Sequence, residues 1–329
     1  MACGAPFALA AIVAFASGCD DQKVATPQLP PTPGGSKDSG TPQGWGDPTT
    51  TRRPGVLRLG HLNVRRYFDA TCDSGQCQSG FEEVVTEAQF ASRTEELALG
   101  LARLEADVIT LAEVENQSCL EALQAKLKEA GLDYPVAHLA EIGVPGSIDV
   151  GVLARGTLES VKTYRKETPL TREDGSQTQF TRELPEVHLT LGSNSVIVYA
   201  AHFRSKADDD PSRRLAEAKA TRQIMVATAE ANTGAVVLLG GDLNDIPGSD
   251  AINALEEGGA LVRVAKDLPE ASQATYTFAG EKQAIDHIFT TASRATAYVP
   301  KSANVVRDGS SGGFAGSDHA AIYADFNLP

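Results

Sequence analysis

Residues 236–245 read Val-Val-Leu-Leu-Gly-Gly-Asp-Leu-Asn-Asp, an apolar run followed by acidic and amide side chains. A short apolar run bounded in this way predicts a buried strand over Val236–Leu239. Asp242 and Asn244 then come directly after the strand. Polar residues on a loop held by a rigid strand are typical of a functional site, although this stretch alone is equally consistent with a tight turn.

The same arrangement recurs along the chain. Acidic, amide and imidazole side chains stand at the ends of other predicted strands: Asn63 near the end of Val56–Val64, Glu113 after Val108–Leu111, His202 after Val196–Ala201, Asp286 before His287–Phe289, and Asp318 with His319 before Ile322–Phe326. Each of these residues alone could be a turn or surface residue. Together they predict one site at the rim of a sheet.

The remaining pattern mixes helices with strands. Ser92/Glu95 and Ser118/Glu121 have capping-box spacing ahead of leucine stripes, which predicts two helix starts, and a third helix is expected over Arg213–Ala231. Further strands are expected at residues 150–154, 187–191 and 275–278. Several strands follow one another without an intervening helix. This favours packed sheets with helices outside over a doubly wound parallel sheet.

The N-terminus predicts export. The apolar run from Pro6 to Ala16 is too short to span a bilayer, and Ala16-Ser17-Gly18-Cys19 resembles a bacterial lipobox. The expected organisation is a signal peptide over residues 1–18, then a lipidated Cys19 with a disordered Pro/Gly/Ser/Thr linker to residue 54, and a catalytic domain over 55–329. No Lys or Arg precedes Cys19, which departs from the pattern, and a chance apolar segment is the alternative.

Charge and cysteines add two constraints. The net charge of -14 argues against a protein that coats DNA, but it is compatible with an acidic metal site. In an oxidising compartment Cys72 and Cys77, which flank a short loop, could form a local disulfide, leaving Cys119 over. The spacing does not fit a zinc framework.

Six short stretches resemble the endonuclease/exonuclease/phosphatase family, in that family's order: Leu62-Asn63-Val64, Leu111-Ala112-Glu113-Val114, Ala201-His202-Phe203-Arg204-Ser205-Lys206, Gly241-Asp242-Leu243-Asn244, Ile285-Asp286-His287-Ile288-Phe289 and Ser317-Asp318-His319. They span nearly all of residues 56–329. The resemblance implies an α/β fold, a four-layered sandwich of two mixed β-sheets flanked by helices. It also implies divalent-metal-dependent hydrolysis of a phosphodiester.

The resemblance also implies a metal site and a water-activating pair. Glu113 is expected to be the main metal ligand with Asn63 beside it, while Asp318 binds the metal directly or through water; Glu115 competes with Glu113 for this role. Mg²⁺ is the expected ion, with Mn²⁺ or Ca²⁺ as alternatives. Asp242 would orient or deprotonate the attacking water, and Asn244 would hold a phosphate oxygen.

Histidines and basic residues complete the expected site. Asp286 would fix the tautomer of His319, and the pair would act as general base or as a charge clamp on the phosphate. His202 would donate to the phosphate or to the leaving oxygen, with Asp149 as its possible partner. Candidate phosphate contacts are Arg182, Arg204 and Lys206, although a solvated basic surface explains them equally well.

Three other interpretations remain. Gly309-Ser310-Ser311-Gly312-Gly313 matches the G-x-S-x-G pattern of serine hydrolases, but no helical pattern follows it. A non-catalytic surface lipoprotein should have lost part of the residue set. A sphingomyelinase-like enzyme should carry an exposed aromatic hairpin, and the sequence shows none. We therefore expect a monomeric nuclease acting on DNA or RNA, anchored to the membrane through its lipid, with no protein partner.

Overall fold

The computed structural model describes residues 55–77, 80–309 and 312–329. The predicted signal peptide, Cys19, the linker up to residue 54, and Ser310 and Ser311 of the Gly/Ser loop lie outside these residues. Within them, no helix has both the length and the apolar character needed to cross a bilayer.

Helices and strands alternate irregularly along the described chain. The α-helices are α1 (Glu87–Leu104), α2 (Gln117–Glu129), α3 (Pro211–Ala231) and α4 (Asp250–Glu256). The strands are β1 (Val56–Tyr67), β2 (Val108–Val114), β3 (Val136–Ala140), β4 (Asp149–Ala154), β5 (Thr157–Lys162), β6 (Leu170–Thr171), β7 (Gln177–Thr178), β8 (Glu186–Leu191), β9 (Asn194–His202), β10 (Val236–Asp242), β11 (Leu261–Arg263), β12 (Tyr276–Phe278), β13 (Glu281–Gln283), β14 (Asp286–Thr291), β15 (Asn304–Val306) and β16 (Ala321–Asn327).

Two mixed sheets form the centre of the molecule. One has the order β15-β16-β1-β2-β4-β3 and the other β11-β14-β10-β9-β8-β5. Within each sheet one pair is parallel, β1 with β2 and β9 with β10, and the other neighbours are antiparallel. An apolar layer joins the sheets, and two further layers pack helices on their outer faces. The predicted four-layered sandwich is therefore confirmed.

Strand alternation decides which side chains face the space between the sheets. In β1, Leu57 and Leu59 belong to the central layer, whereas Leu62 and Val64 pack under the helices. Because side chains alternate with period two, Asn63 falls on the inner face with Leu57 and Leu59. In β10 the same rule puts Asp242 on the inner face with Val236 and Leu238. The alternation thus directs polar strand ends from both sheets toward each other.

The helix starts differ from the predicted ones. Helix α1 is capped by Thr86 in a reciprocal capping box with Gln89, and Ser92 lies inside the helix. Helix α2 is capped by Asn116, whose side chain accepts a hydrogen bond from the Cys119 amide, so Ser118 is not the cap. In both cases the real cap lies upstream of the predicted one, because another short polar side chain reaches the free amides first.

Gly240 of β10 faces Thr110 of β2 and His61 of β1 across the space between the sheets. A methyl group on Gly240 would lie 2.4 Å from Thr110 Oγ1 and 3.5 Å from His61 Cβ. Thr110 Oγ1 in turn hydrogen-bonds His61 Nδ1 at 3.0 Å. Gly240 is therefore required by the spacing between the layers.

We predict that Gly240→Ala lowers the free energy of unfolding by about 1–3 kcal/mol, because the added methyl group overpacks a buried contact. Gly234→Ala is the control, since a methyl group there has no neighbour within 4 Å. Urea titration followed by circular dichroism measures both. Equal midpoints for the two variants would contradict the tight packing at Gly240.

Candidate active site

A cavity of about 480 Å³ opens at the carboxyl ends of the two parallel strand pairs. It is lined by Arg65, Arg66, Glu113, His202, Ser205, Lys206, Ala207, Asp242, Asn244, Tyr276, Phe278, Gln283, Ile285, Asp318 and His319. Most of the residues predicted from the strand ends are in this set, and they come from both sheets.

The Asn63 amide joins the two sheets at the floor of the site. Its Nδ2 donates to Glu113 Oε1 at 3.0 Å and to Asp242 Oδ2 at 2.9 Å. The backbone carbonyl of Asn63 accepts a hydrogen bond from Ser317 Oγ at 2.6 Å. One buried amide therefore fixes the distance between two carboxylates that belong to different sheets.

The chain around Glu113 leaves regular strand geometry. Glu113 has a φ of 69°, in the left-handed region, and the β1–β2 and β2–β4 registers shift beside it. Its Oε2 accepts a hydrogen bond from the Arg66 amide at 2.9 Å. The local turn brings the Glu113 carboxylate into the cavity, whereas Glu115 makes contacts with the loop after β1. Glu113 is thus the one that faces the site.

A chain of imidazoles and a carboxylate lies behind the cavity. His319 Nδ1 hydrogen-bonds Asp286 Oδ2 at 2.8 Å, and His61 Nε2 lies 3.3 Å from Asp286 Oδ1. Asp286 and His61 are fully buried. Thr110 holds the far nitrogen of His61. The predicted Asp286–His319 pair therefore forms, and His61 supports it from the other side.

The buried charges of Asp286 and His319 shift each other's pKa values. Burial would lower the pKa of His319, but the Asp286 carboxylate outweighs it and raises the pKa to about 10. Burial would raise the pKa of Asp286, yet the His319 imidazolium holds it well below its usual range. His319 is consequently a cation at neutral pH, and this arrangement favours the charge clamp over the general base.

The pKa values of Asp242 and His202 shift in the opposite directions to those of Asp286 and His319. Burial, and then the negative charge of Asp286, raise the pKa of Asp242 above the usual carboxylate range. Burial, with the positive charges of Arg182 and His319, lowers the pKa of His202 well below its usual value, so this imidazole is neutral at pH 7. His202 Nε2 lies 3.9 Å from Asp242 Oδ2 and His319 Nε2 lies 4.0 Å from the same oxygen.

Asn244 and Lys206 line the cavity at its edge. The Asn244 amide N–H donates to Asp242 Oδ1 at 2.9 Å, and Asn244 Nδ2 donates to Phe203 O at 3.2 Å. Lys206 Nζ pairs with Asp245 Oδ1 at 3.0 Å. Asn244 has a φ of 52°, a conformation that asparagine tolerates better than most residues.

Asp149 and Arg182 lie outside the cavity lining. Asp149 accepts hydrogen bonds from Ser147 Oγ and from the Ile142 amide, so the expected pairing with His202 is wrong. Among the described residues, His202 Nδ1 has no partner at all. Arg182 Nε donates to Ile148 O at 2.6 Å, and the positive charge of Arg182 contributes to lowering the pKa of His202. Arg204 is also outside the lining, and its backbone amide donates to Glu217.

Arg65, Tyr276 and Phe278 line the cavity but were not predicted from the sequence. Arg65 lines the cavity with a φ of 54°, and its Nε lies 3.7 Å from Asp318 Oδ2. Tyr276 and Phe278 stand on a hairpin formed by β12 and β13, and Phe278 is 62% exposed. The expectation that no exposed aromatic hairpin exists is therefore wrong. The short Tyr-Thr-Phe alternation ahead of Asp286 was the available signal.

The donor set fits a hard divalent cation. Glu113 and Asp318 offer carboxylate oxygens at the cavity, and Asp318 is partly exposed, as a ligand open to water should be. Asn63 donates its amide nitrogen to Glu113 and Asp242, and its Oδ1 accepts the Arg65 N–H at 2.9 Å, so in this orientation it positions the carboxylates and does not present its oxygen to a cation. A second compact group of possible ligand atoms comes from Asp242, Asp286 and His319.

Comparison with known proteins agrees with this geometry. The model of the endonuclease/exonuclease/phosphatase family matches residues 60–308. The chain belongs to this family. Its members hydrolyse phosphate esters and generally use divalent metals. No curated protein matches the sequence.

Several solved structures share the fold. They include truncated TDP2 of Caenorhabditis elegans (15% identity, TM-score 0.57, 83% of this chain and 97% of that one). TDP2 of D. rerio with a single-strand DNA product is 20% identical, with a TM-score of 0.56 over 83% of this chain and 99% of that one. SmcL is 16% identical, with a TM-score of 0.58 over 83% and 100%.

We predict that His319 titrates with a pKa of about 10 in the intact protein, and that Asp286→Asn moves it down toward 6.5, because the imidazolium loses its anionic partner. Ring-proton and nitrogen chemical shifts across a pH series measure this. His138, whose pKa is lowered by burial, should titrate identically in both proteins. A wild-type midpoint near 6.5 for His319 would show that the imidazole is neutral at working pH.

Proposed function

We propose that this protein is a divalent-metal-dependent phosphodiesterase that cleaves nucleic acid. The observation that supports it is the gathering of Asn63 and Glu113 from one sheet with Asp242, His202 and the Asp286–His319 pair near the other, around one cavity. Such a set can balance the negative charge of a phosphodiester and orient a water molecule. The full residue set argues against a non-catalytic binding module.

Glu113 and Asp318 would hold Mg²⁺, with Mn²⁺ and Ca²⁺ as the alternatives, and Asn63 would position Glu113 through the hydrogen bond from its Nδ2. The ion, when bound, supplies positive charge to the phosphate and to the leaving oxygen. Arg66 positions Glu113 through its backbone N–H, and Arg65 lies beside Asp318. The protein thus fixes the ligands through backbone contacts at the end of β1.

The remaining side chains carry the proton chemistry. Asp242, with its raised pKa, orients the attacking water and accepts its proton, and the Asn244 amide N–H holds Asp242 in place. The His319 imidazolium binds a phosphate oxygen as a charged donor. Neutral His202 donates a hydrogen bond to the phosphate or to the leaving oxygen from its Nε2 side. Asn244 holds a further phosphate oxygen with its second amide hydrogen.

The cavity wall supports nucleic acid as the substrate. Tyr276 packs against His319 with ring centroids 4.7 Å apart, and Phe278 extends the aromatic surface outward. Bases stack on such aromatic side chains with little sequence preference. Lys206 and Arg65 lie on the same cavity and suit a phosphate backbone. The TDP2 structure from D. rerio, which contains a single-strand DNA product, has the same fold.

We predict that the purified protein degrades DNA or RNA in Mg²⁺ and not in EDTA. Asp242→Asn and His319→Gln should each reduce turnover by about 10²- to 10⁴-fold, because each removes a group that moves or neutralises charge in the transition state. Asp133→Asn, a matched change on an exposed carboxylate, should leave turnover unchanged. Near-normal rates in either site variant would contradict these roles.

The alternative substrate within this family is a phospholipid headgroup. Exposed Phe278 beside the cavity is the observation that favours it, since an aromatic hairpin can insert into a bilayer surface. Sphingomyelin vesicles and bis(p-nitrophenyl) phosphate should therefore be included beside plasmid DNA, single-stranded DNA and RNA. Cleavage of sphingomyelin alone would replace the nuclease proposal, and no cleavage of any of them would restore the binding-module hypothesis.

We also propose that the protein is exported and anchored at the cell envelope through a lipid on Cys19. The Cys72–Cys77 disulfide supports an oxidising compartment. The monomeric state remains a prediction.

Labelled fatty acid should be incorporated into the wild-type protein in bacterial cells but not into Cys19→Ser. Gel fluorography measures it, with Cys119→Ser as the control because Cys119 is buried in the domain. Equal labelling of wild type and Cys19→Ser would contradict lipidation at Cys19. Secretion without a lipid anchor would then be the remaining hypothesis.

A further inference from the structure

A second group of carboxylates lies outside the active-site cavity, between the loop after β1 and the end of β2. We call Asp69, Asp73, Glu82 and Glu115 the loop cluster. Among the described residues lining the cavity, none belongs to the loop cluster. The Cys72–Cys77 disulfide closes the loop that carries Asp73.

The loop cluster is held together by donors from the backbone and one amide. Asp73 and Ser74 donate their amide N–H groups to the two oxygens of Glu82, at 2.5 and 2.8 Å. Asn116 Nδ2 donates to Asp69 Oδ2 at 3.2 Å and to Asp73 Oδ2 at 3.1 Å. These neutral donors orient the carboxylates without cancelling their charge.

The charge of the loop cluster is not balanced by protein cations. One carboxylate oxygen from each of Asp73, Glu82 and Glu115 lies within 4.8 Å of the others. Within residues 55–77, 80–309 and 312–329, no lysine or arginine forms an ion pair with the cluster. Like charges at this spacing repel strongly unless a cation lies between them.

Glu115 provides the independent observation. The residue is only 3% exposed, and its Oε2 accepts the Asp69 amide at 2.8 Å. Its other oxygen, Oε1, has no hydrogen-bond partner among the described residues. Leaving a buried carboxylate oxygen without a partner costs free energy, and either a proton shared with Glu82 or a metal ion can satisfy it.

We propose that the loop cluster is a second, structural cation site that binds Ca²⁺. Its ligand atoms are carboxylate oxygens, three from the irregular loop after β1 and one from Glu115 at the end of β2. Ca²⁺ accepts six to eight oxygens in flexible geometry, whereas Mg²⁺ requires near-ideal octahedral order. Cys119 Sγ lies 3.8 Å from Asp69 Oδ2 and from Glu115 Oε2. That thiol makes Zn²⁺ the competing ion, which the experiment below includes.

The site would stiffen the chain beside the reaction centre. The Glu115 amide donates to Tyr67 O, and Asp69 follows two residues later on the same segment. Arg66, on that segment, positions Glu113. Ca²⁺ in the loop cluster therefore ties the segment after β1 to the end of β2, without itself taking part in the reaction.

The test uses the full-length oxidised protein without substrate, titrated with Ca²⁺, Mg²⁺ or Zn²⁺ in a calorimeter and melted in each ion. We expect Ca²⁺ to bind and to raise the Tm by several degrees, as a ligand that binds only the folded state must. Asp73→Asn should weaken Ca²⁺ binding by about tenfold or more, because it removes one ligand charge. Asp73 is exposed and the amide can still accept from Asn116, so this variant should fold.

Two further variants complete the design. Glu83→Gln is the matched control, because it also removes one negative charge from the same loop. Glu83 is not in the loop cluster and pairs with Arg66, so this variant should bind Ca²⁺ normally. Glu113→Gln should also keep the Ca²⁺-induced rise in Tm, so the result is independent of the proposed catalytic activity. The proposal is overturned if Asp73→Asn binds Ca²⁺ like the wild type, if Glu113→Gln abolishes the shift, if Zn²⁺ alone binds, or if no ion binds because Glu115 holds a proton.

Discussion

The close approach of two sheets at a single glycine is the constraint on which the site depends. Gly240 leaves just enough room for Thr110 and His61 of the opposite sheet. At that separation the Asn63 amide reaches from Glu113 to Asp242. A wider gap would leave these buried polar groups without partners, which is costly, so packing and chemistry fix each other.

Within this gap the protein keeps its buried charges in balance. The His319 imidazolium lies against Asp286, and this pair leaves Asp242 as the carboxylate whose proton affinity is raised. Two acids of the same type, one strand apart at Asp242 and Asp286, therefore have opposite pKa shifts. Environments that push the pKa values of neighbouring groups apart are how acid and base roles are divided in hydrolytic sites.

The sequence was sufficient for the fold class and for most strand-end residues, because strand alternation and short polar ends are local signals. It could not decide between Glu113 and Glu115, since the choice depends on the left-handed backbone at Glu113, which interrupts the alternation. His61 shares the inward parity of Leu57 and Asn63, but its role appears only when the opposite sheet brings Asp286 to it. The predicted helix caps were wrong because the path of the preceding loop brings Thr86 and Asn116 to the free amides, and the sequence does not reveal that path.

The polarity of β1 has one more consequence. Val56 pairs with Asn327 at one end of the sheet, while Asn63 lies at the other, about 23 Å along an extended strand. The described chain therefore enters the domain at the pole remote from the reaction centre. Strand β1 carries the backbone from that entry point to the floor of the site, so one strand sets the distance between them.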